Sequence, residues 1–153
     1  MSALKDQLQA DLTSAIRAQD ELSMATLRMA LAAITNAEVS GKEARELSDD
    51  DVILVLTGEA KKRREAAESF DGAGAVDRAD RERAELTVLQ RYLPEQLSES
   101  EIEAIVAGAV AEVAAKGTSG PAAMGAVMKL VTPQTRGRAD GGQVAARVKA
   151  ALA

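Results

Sequence analysis

The chain is 153 residues long and acidic, with 19 Lys and Arg against 24 Asp and Glu and a formal charge of −5. It contains no Cys and no His, which excludes a disulfide framework, a thiolate metal site and the usual general base and transition-metal ligand. Aromatics are limited to one Tyr and one Phe, and the apolar content is mostly Ala, Leu, Val and Met, residues that suit closely packed helices.

Helical periodicity runs through the chain from its start. Leu4, Leu8, Leu12, Ala15 and Ile16 make a first stripe, with Ser2 as its cap. Met24, Leu27, Leu31 and Ile34 make a second, and Gly41 lies just beyond its end. Ser48, followed by Asp49, Asp50 and Asp51, marks a third helix start, where acids complement the positive end of the dipole. That helix carries Val52, Val55, Leu56, Ala60, Ala67 and Phe70 inward until the "DGAG" at 71–74 breaks it. A fourth stripe reads Ala79, Glu82, Leu86, Leu89 and Leu93, and Pro94 ends it by disfavouring helical geometry at the residue before it.

Beyond Pro94, Ser98 with Glu101 forms a capping-box pattern, and Leu97 with Ile102 sits at the staple positions. The helix they open carries Ile102, Ile105, Val106, Ala109 and Val113 to a stop at Gly117. Pro121 reads as the first-turn proline of a short helix holding Met124, Val127, Met128 and Val131, closed by Pro133. Asp140 with Gln143 caps a last helix whose buried face is Val144, Val148, Ala151 and Leu152. No alternating β pattern and no internal repeat interrupts this series. The expected fold is all-α: a bundle of about four helices over residues 1–94, then a small three-helix domain over 95–153. Lys5, Asp6 and Asp11 interrupt any N-terminal apolar run, and stretches such as 104–111 are too short for a bilayer. A soluble cytoplasmic protein without membrane contact is the expectation.

Charge is laid out unevenly. Residues 94–112 hold five acids and no base, whereas residues 113–153 hold six bases and one acid. The six are Lys116, Lys129, Arg136, Arg138, Arg147 and Lys149, a local cationic surface suited to a polyanion. Within "GRADGGQV", Gly137, Gly141 and Gly142 allow close backbone approach at a helix mouth, where anions are favoured. Two readings stand side by side there: a phosphate site, or a loop whose arginines cap the preceding helix. Asp140 weighs for the second, since a carboxylate at the N-cap competes with phosphate. A second cluster, "KKRRE" at 61–65, reads as a solvated helix surface with Lys61–Glu65 and Arg64–Glu68 pairs.

Four stretches together carry a resemblance: "LRMALAAITNAEV" at 27–39, "KKRREAAESF" at 61–70, "AELTVLQRYLPEQLSESEI" at 84–102, and "MGAVMKLV…GRADGGQV" at 124–144. In this order they resemble YqeY proteins of the GatB/YqeY family, over nearly the whole chain. The resemblance implies an all-α fold and a likeness to the C-terminal tail of GatB, a subunit of the tRNA-dependent amidotransferase. In GatB that tail contacts tRNA, and the amidotransferase chemistry sits in a separate domain. Thr35 stands where the family often has Lys, and Gly74-Ala75-Val76-Asp77 where it often has Gly-Arg-x-Asp. Both departures remove first-lobe cations and shift weight to the second lobe.

No P-loop, Cys nucleophile or Ser-His arrangement supports independent amide transfer, so no catalytic residue, metal or cofactor is assigned. The function expected is a non-catalytic RNA-binding accessory protein. It would meet tRNA, or another structured RNA, weakly through phosphate and shape at the six bases, with Gly137 and Gly141 beside them. Phe70 is expected in the core, and Tyr92 to pack between lobes rather than stack on a base. The alternatives are a helical protein-protein adaptor, or an amidotransferase-associated activity expressed only within a complex, with a protein partner in tRNA metabolism.

Overall fold

A computed structural model describes residues 2–153, in which the chain is all-helical. Seven α-helices are described: α1 (Ala3–Ala18), α2 (Glu21–Val39), α3 (Asp49–Gly72), α4 (Val76–Gln90), α5 (Glu99–Ala115), α6 (Met124–Thr135) and α7 (Gly141–Leu152). They divide into two compact units, one closing at Leu93 and the other running Pro94–Ala153. Among the described residues, no helix is long and apolar enough to cross a membrane.

In the first unit, each helix start is written into its cap. Ser2 accepts the Lys5 N–H at 3.1 Å, Asp20 accepts that of Ser23 at 3.1 Å, and Ser48 accepts that of Asp51 at 3.2 Å. The Asp51 carboxylate returns to the Ser48 N–H, which completes a capping box. Asp49, one residue into α3, accepts the Ser2 hydroxyl at 2.5 Å and so ties the start of α1 to that of α3. Between these helices Leu8, Leu27, Ile34, Val52, Leu56 and Leu89 are fully or almost fully buried in one cluster. Each contributes roughly 1.5–3 kcal/mol of burial. Past α4 the chain tightens into a 3₁₀-type turn, with Tyr92 N–H on the Leu89 carbonyl at 3.0 Å.

Two side chains depart from the expected pattern here. Ile16 is 46% exposed, although Ala15 beside it in the last turn of α1 is buried. Phe70 is only half-buried and lies outside the core cluster, its ring under the Arg78 guanidinium at 5.8 Å. Tyr92 packs on the first unit's own core and donates its hydroxyl to Asp11 at 2.6 Å. Burial, and then Asp11, hold that phenol above its usual range.

The largest difference lies in "KKRRE". Arg63 is 3% exposed, and its Nη1 donates to the Glu59 carboxylate at 2.7 Å and to the Glu59 carbonyl at 3.0 Å. Its Nε faces Glu85 of α4 at 3.5 Å, and Arg81 joins Glu85 to Glu21 of α2. Burial pushes the Glu59 carboxyl up, but hydrogen bonds from Lys62 and Arg63 outweigh it and leave the group lowered. An ionic cluster thus links α2, α3 and α4 where a solvated surface was expected.

In the second unit, α5, α6 and α7 pack around Ile102, Val106, Val113, Val127, Val131, Val144 and Val148. Ser98 caps α5 through the Glu101 N–H at 3.2 Å, and Leu97 and Ile102 both join the core, as the staple requires. Gly117 takes φ +96° just after α5, and Pro121 sits in a 3₁₀ turn, Gly120–Ala123, that feeds α6. Pro133 lies inside the last turn of α6 rather than closing it. The helix continues through Thr135, whose hydroxyl donates to the Val131 carbonyl at 3.2 Å. On α7 the buried face is Val144, Val148 and Leu152, which step by four; Ala151, three residues after Val148, is exposed.

Candidate nucleic-acid interface

Residues 113–139 carry Lys116, Lys129, Arg136 and Arg138 and no acid at all. Helix α6 presents the centre of this stretch. Val127, Val131 and Thr135 repeat every fourth position and are buried, which turns Gly125, Ala126, Lys129, Thr132 and Pro133 outward. Lys129 and Arg136 are seven positions apart, nearly two turns, so they share a side about 10 Å apart along the axis. One turn before Lys129 the backbone is accessible: a Cβ added at Gly125 meets nothing within 4 Å. Among the described residues, no hydrogen bond or ion pair holds the side chain of Lys129, Arg136 or Lys149, and all three are exposed.

The other expected site residues have structural engagements. Arg138 donates from Nε to the Glu95 carbonyl at 3.1 Å and from Nη1 to the Gln134 carbonyl at 3.5 Å. Its own carbonyl accepts the Leu97 N–H at 2.8 Å. Gly137, buried with φ +74°, accepts Gln96 Nε2 at its carbonyl at 3.0 Å. The Arg-Gly-Arg is therefore divided: Arg136 faces solvent, while Gly137 and Arg138 clasp residues 95–97. Arg147 bridges to Glu103 at 3.0 Å and Glu99 at 3.5 Å on α5. Lys116 lies 3.8 Å from Glu112 at the exposed end of α5.

The mouth of α7 is occupied by the chain itself. Asp140 is the N-cap and accepts the Gln143 N–H at 3.1 Å, so a carboxylate already holds the position a phosphate would take. Gly141 opens the helix with free space around its Cα and no left-handed φ. What the residue types alone did not reveal is the outward face of α6, with Gly125, Ala126 and Thr132 beside the cations. The signal was available in the spacing 125, 129, 132, 136, and in the run of residues without an acid.

A family model described as Yqey-like protein matches residues 5–152, which takes in both units. The chain belongs to the YqeY-like family. The match agrees with the resemblance carried by the four stretches quoted above, and with the all-α fold that family implied. Among curated relatives, "Altered inheritance of mitochondria protein 41, mitochondrial" of Pyrenophora tritici-repentis is 33% identical over 135 residues, covering 86% of this chain and 71% of the relative. "Uncharacterized protein C22F3.15" of Schizosaccharomyces pombe is 37% identical over 73 residues, covering 48% of this chain and 58% of the relative.

Proposed function

We propose that this YqeY-like chain is a non-catalytic accessory protein that binds tRNA, or another structured RNA, through phosphate contacts on the outward face of α6. Lys129 and Arg136 are the contacting cations, and Thr132 between them offers a hydroxyl donor. Lys149 and Lys116 add attraction, while Arg138, Gly137 and Gly141 serve the fold. The carrying observation is that Lys129 and Arg136 are exposed, held by no acid among the described residues, and lie within a segment, residues 113–139, that contains none. Recognition rests on phosphate and shape, because Tyr92 and Phe70 are the only aromatic side chains. Association with an amidotransferase or another protein of tRNA metabolism, and a cytoplasmic location, are parts of the same proposal. The mitochondrial name belongs to the relative.

Titration with tRNA at several salt concentrations tests this reading. Two cation–phosphate contacts give a slope of log affinity against log salt of roughly −1.4 to −1.8. The pair Lys129→Ala and Arg136→Ala flattens it by about 1.5 units. Equal affinities and slopes for the wild type and the pair reject the RNA reading. A protein adaptor then takes its place, favoured by the open α2–α3 groove whose rim exposes Met29 and Leu54.

A further inference from the structure

We propose that Met29 is an oxidation site whose sulfoxide is held by Arg63, so that the α2–α3 groove of the first unit responds to peroxide. This goes beyond the RNA reading and involves none of its residues. Met29 is 52% exposed on α2 and lines a groove of about 520 Å³ with Ala32, Ala33, Leu54, Val55 and Gly58. Small residues keep that groove open to a small oxidant. The thioether is not free in it: Arg63 Nη2 donates to Met29 Sδ at 3.6 Å.

Arg63 is the unusual partner. It is almost wholly buried, yet only Nη1 makes strong hydrogen bonds, both to Glu59. Nε, which faces Glu85 at 3.5 Å without hydrogen-bond geometry, is the buried side-chain nitrogen without an acceptor among the described residues. A thioether is a weak acceptor, so a buried guanidinium is left under-satisfied. A sulfoxide oxygen is a strong one. Placed on the guanidinium side of Sδ, it lies closer to Nη2 than the sulfur does, toward the usual N–H···O separation of about 2.9 Å. Oxidation at most methionines puts a polar group where an apolar one packed. Here it replaces the weak thioether acceptor of Arg63 Nη2 with a strong one.

The reaction balances with hydrogen peroxide alone. Sδ attacks one peroxide oxygen, the O–O bond breaks and an S–O bond forms. The proton of the transferred oxygen moves to the departing hydroxide, which leaves as water. Sulfur loses two electrons and peroxide gains them. A methionine sulfoxide reductase reverses the mark.

The test treats the full chain with graded hydrogen peroxide, maps the products by peptide mass spectrometry and melts each form. Met29 sulfoxide is expected to accumulate ahead of sulfoxide at the half-buried Met24, Met124 and Met128. Protein oxidised at Met29 melts no lower than the reduced form. Met29→Gln, which offers a carbonyl oxygen, behaves likewise, whereas Met29→Leu melts a few degrees lower because Nη2 loses its acceptor. The proposal is overturned by slower reaction at Met29 than at the half-buried methionines. It is equally overturned by a fall on oxidation as large as that of Met29→Leu, or by equal melting of Met29→Leu and Met29→Gln.

Discussion

Two glycines four positions apart, Gly137 and Gly141, have opposite needs. Gly137 holds φ +74° and is buried under the Gln96 side chain, so a Cβ there meets the left-handed penalty of about 1–2 kcal/mol. Gly137→Ala is expected to destabilise the second unit by at least that amount in a denaturant titration. Gly141 has ordinary backbone and open space, so Gly141→Ala is expected to stabilise by about 0.4–1 kcal/mol by restricting the unfolded chain. Equal effects of the two substitutions would contradict the clasp geometry. From the letters alone the two glycines look alike, because a left-handed φ is set by where the chain must go next. Arg138 carries the same lesson. Its guanidinium was legible as a cation, but the Glu95 and Gln134 carbonyls that engage it become neighbours only after folding.

At the scale of elements, four helix starts were legible and the buried face of α3 was not. Ser2, Ser48, Ser98 and Asp140 cap through atoms three residues away, so the whole interaction lies within a few letters. Arg63 was hidden because four consecutive charged residues look uniformly solvated, and α3 is packed on more than one side. The clue lay in spacing: Leu56, Ala60, Arg63 and Ala67 step by four, three and four along one buried stripe. Its removal has a definite expected cost. Arg63→Ala leaves Glu59 and Glu85 facing each other without their shared cation, and a loss of about 3–5 kcal/mol is expected. Arg81→Ala touches the same cluster from its exposed end, so it is expected to cost far less. Chemical denaturation of both variants checks the contrast, and comparable losses would place the cluster's stabilisation outside Arg63.

Across the molecule, pH acts on the first unit through its carboxylates. Hydrogen bonds from Ser23 lower Asp20, those from Ser2 and Leu4 lower Asp49, and those from Ser48 lower Asp51. Hydrogen bonds from Arg81 and Lys5 lower Glu21 and Glu38 in turn. Their folded values lie below the unfolded ones, so the stability they contribute is present above about pH 4 and lost as pH falls through the folded values. Tyr92 has the opposite sign: above about pH 10 the unfolded chain releases a proton that the folded one keeps, and stability falls as pH rises. Tyrosine emission, which Tyr92 alone supplies in a chain without Trp, follows both limbs. A flat acid limb down to pH 2 would contradict the cap and ion-pair assignments. The clasp of Gln96 and Leu97 onto Gly137 and Arg138 has a consequence of another kind, in the order of synthesis. A ribosome releases Leu97 some forty residues before Arg138, its hydrogen-bonding partner. Until the turn after α6 emerges, the approach to α5 has bare backbone donors and half a core. The first unit has all its partners in hand by then, so its folding can precede that of the second, which closes only near the end of translation.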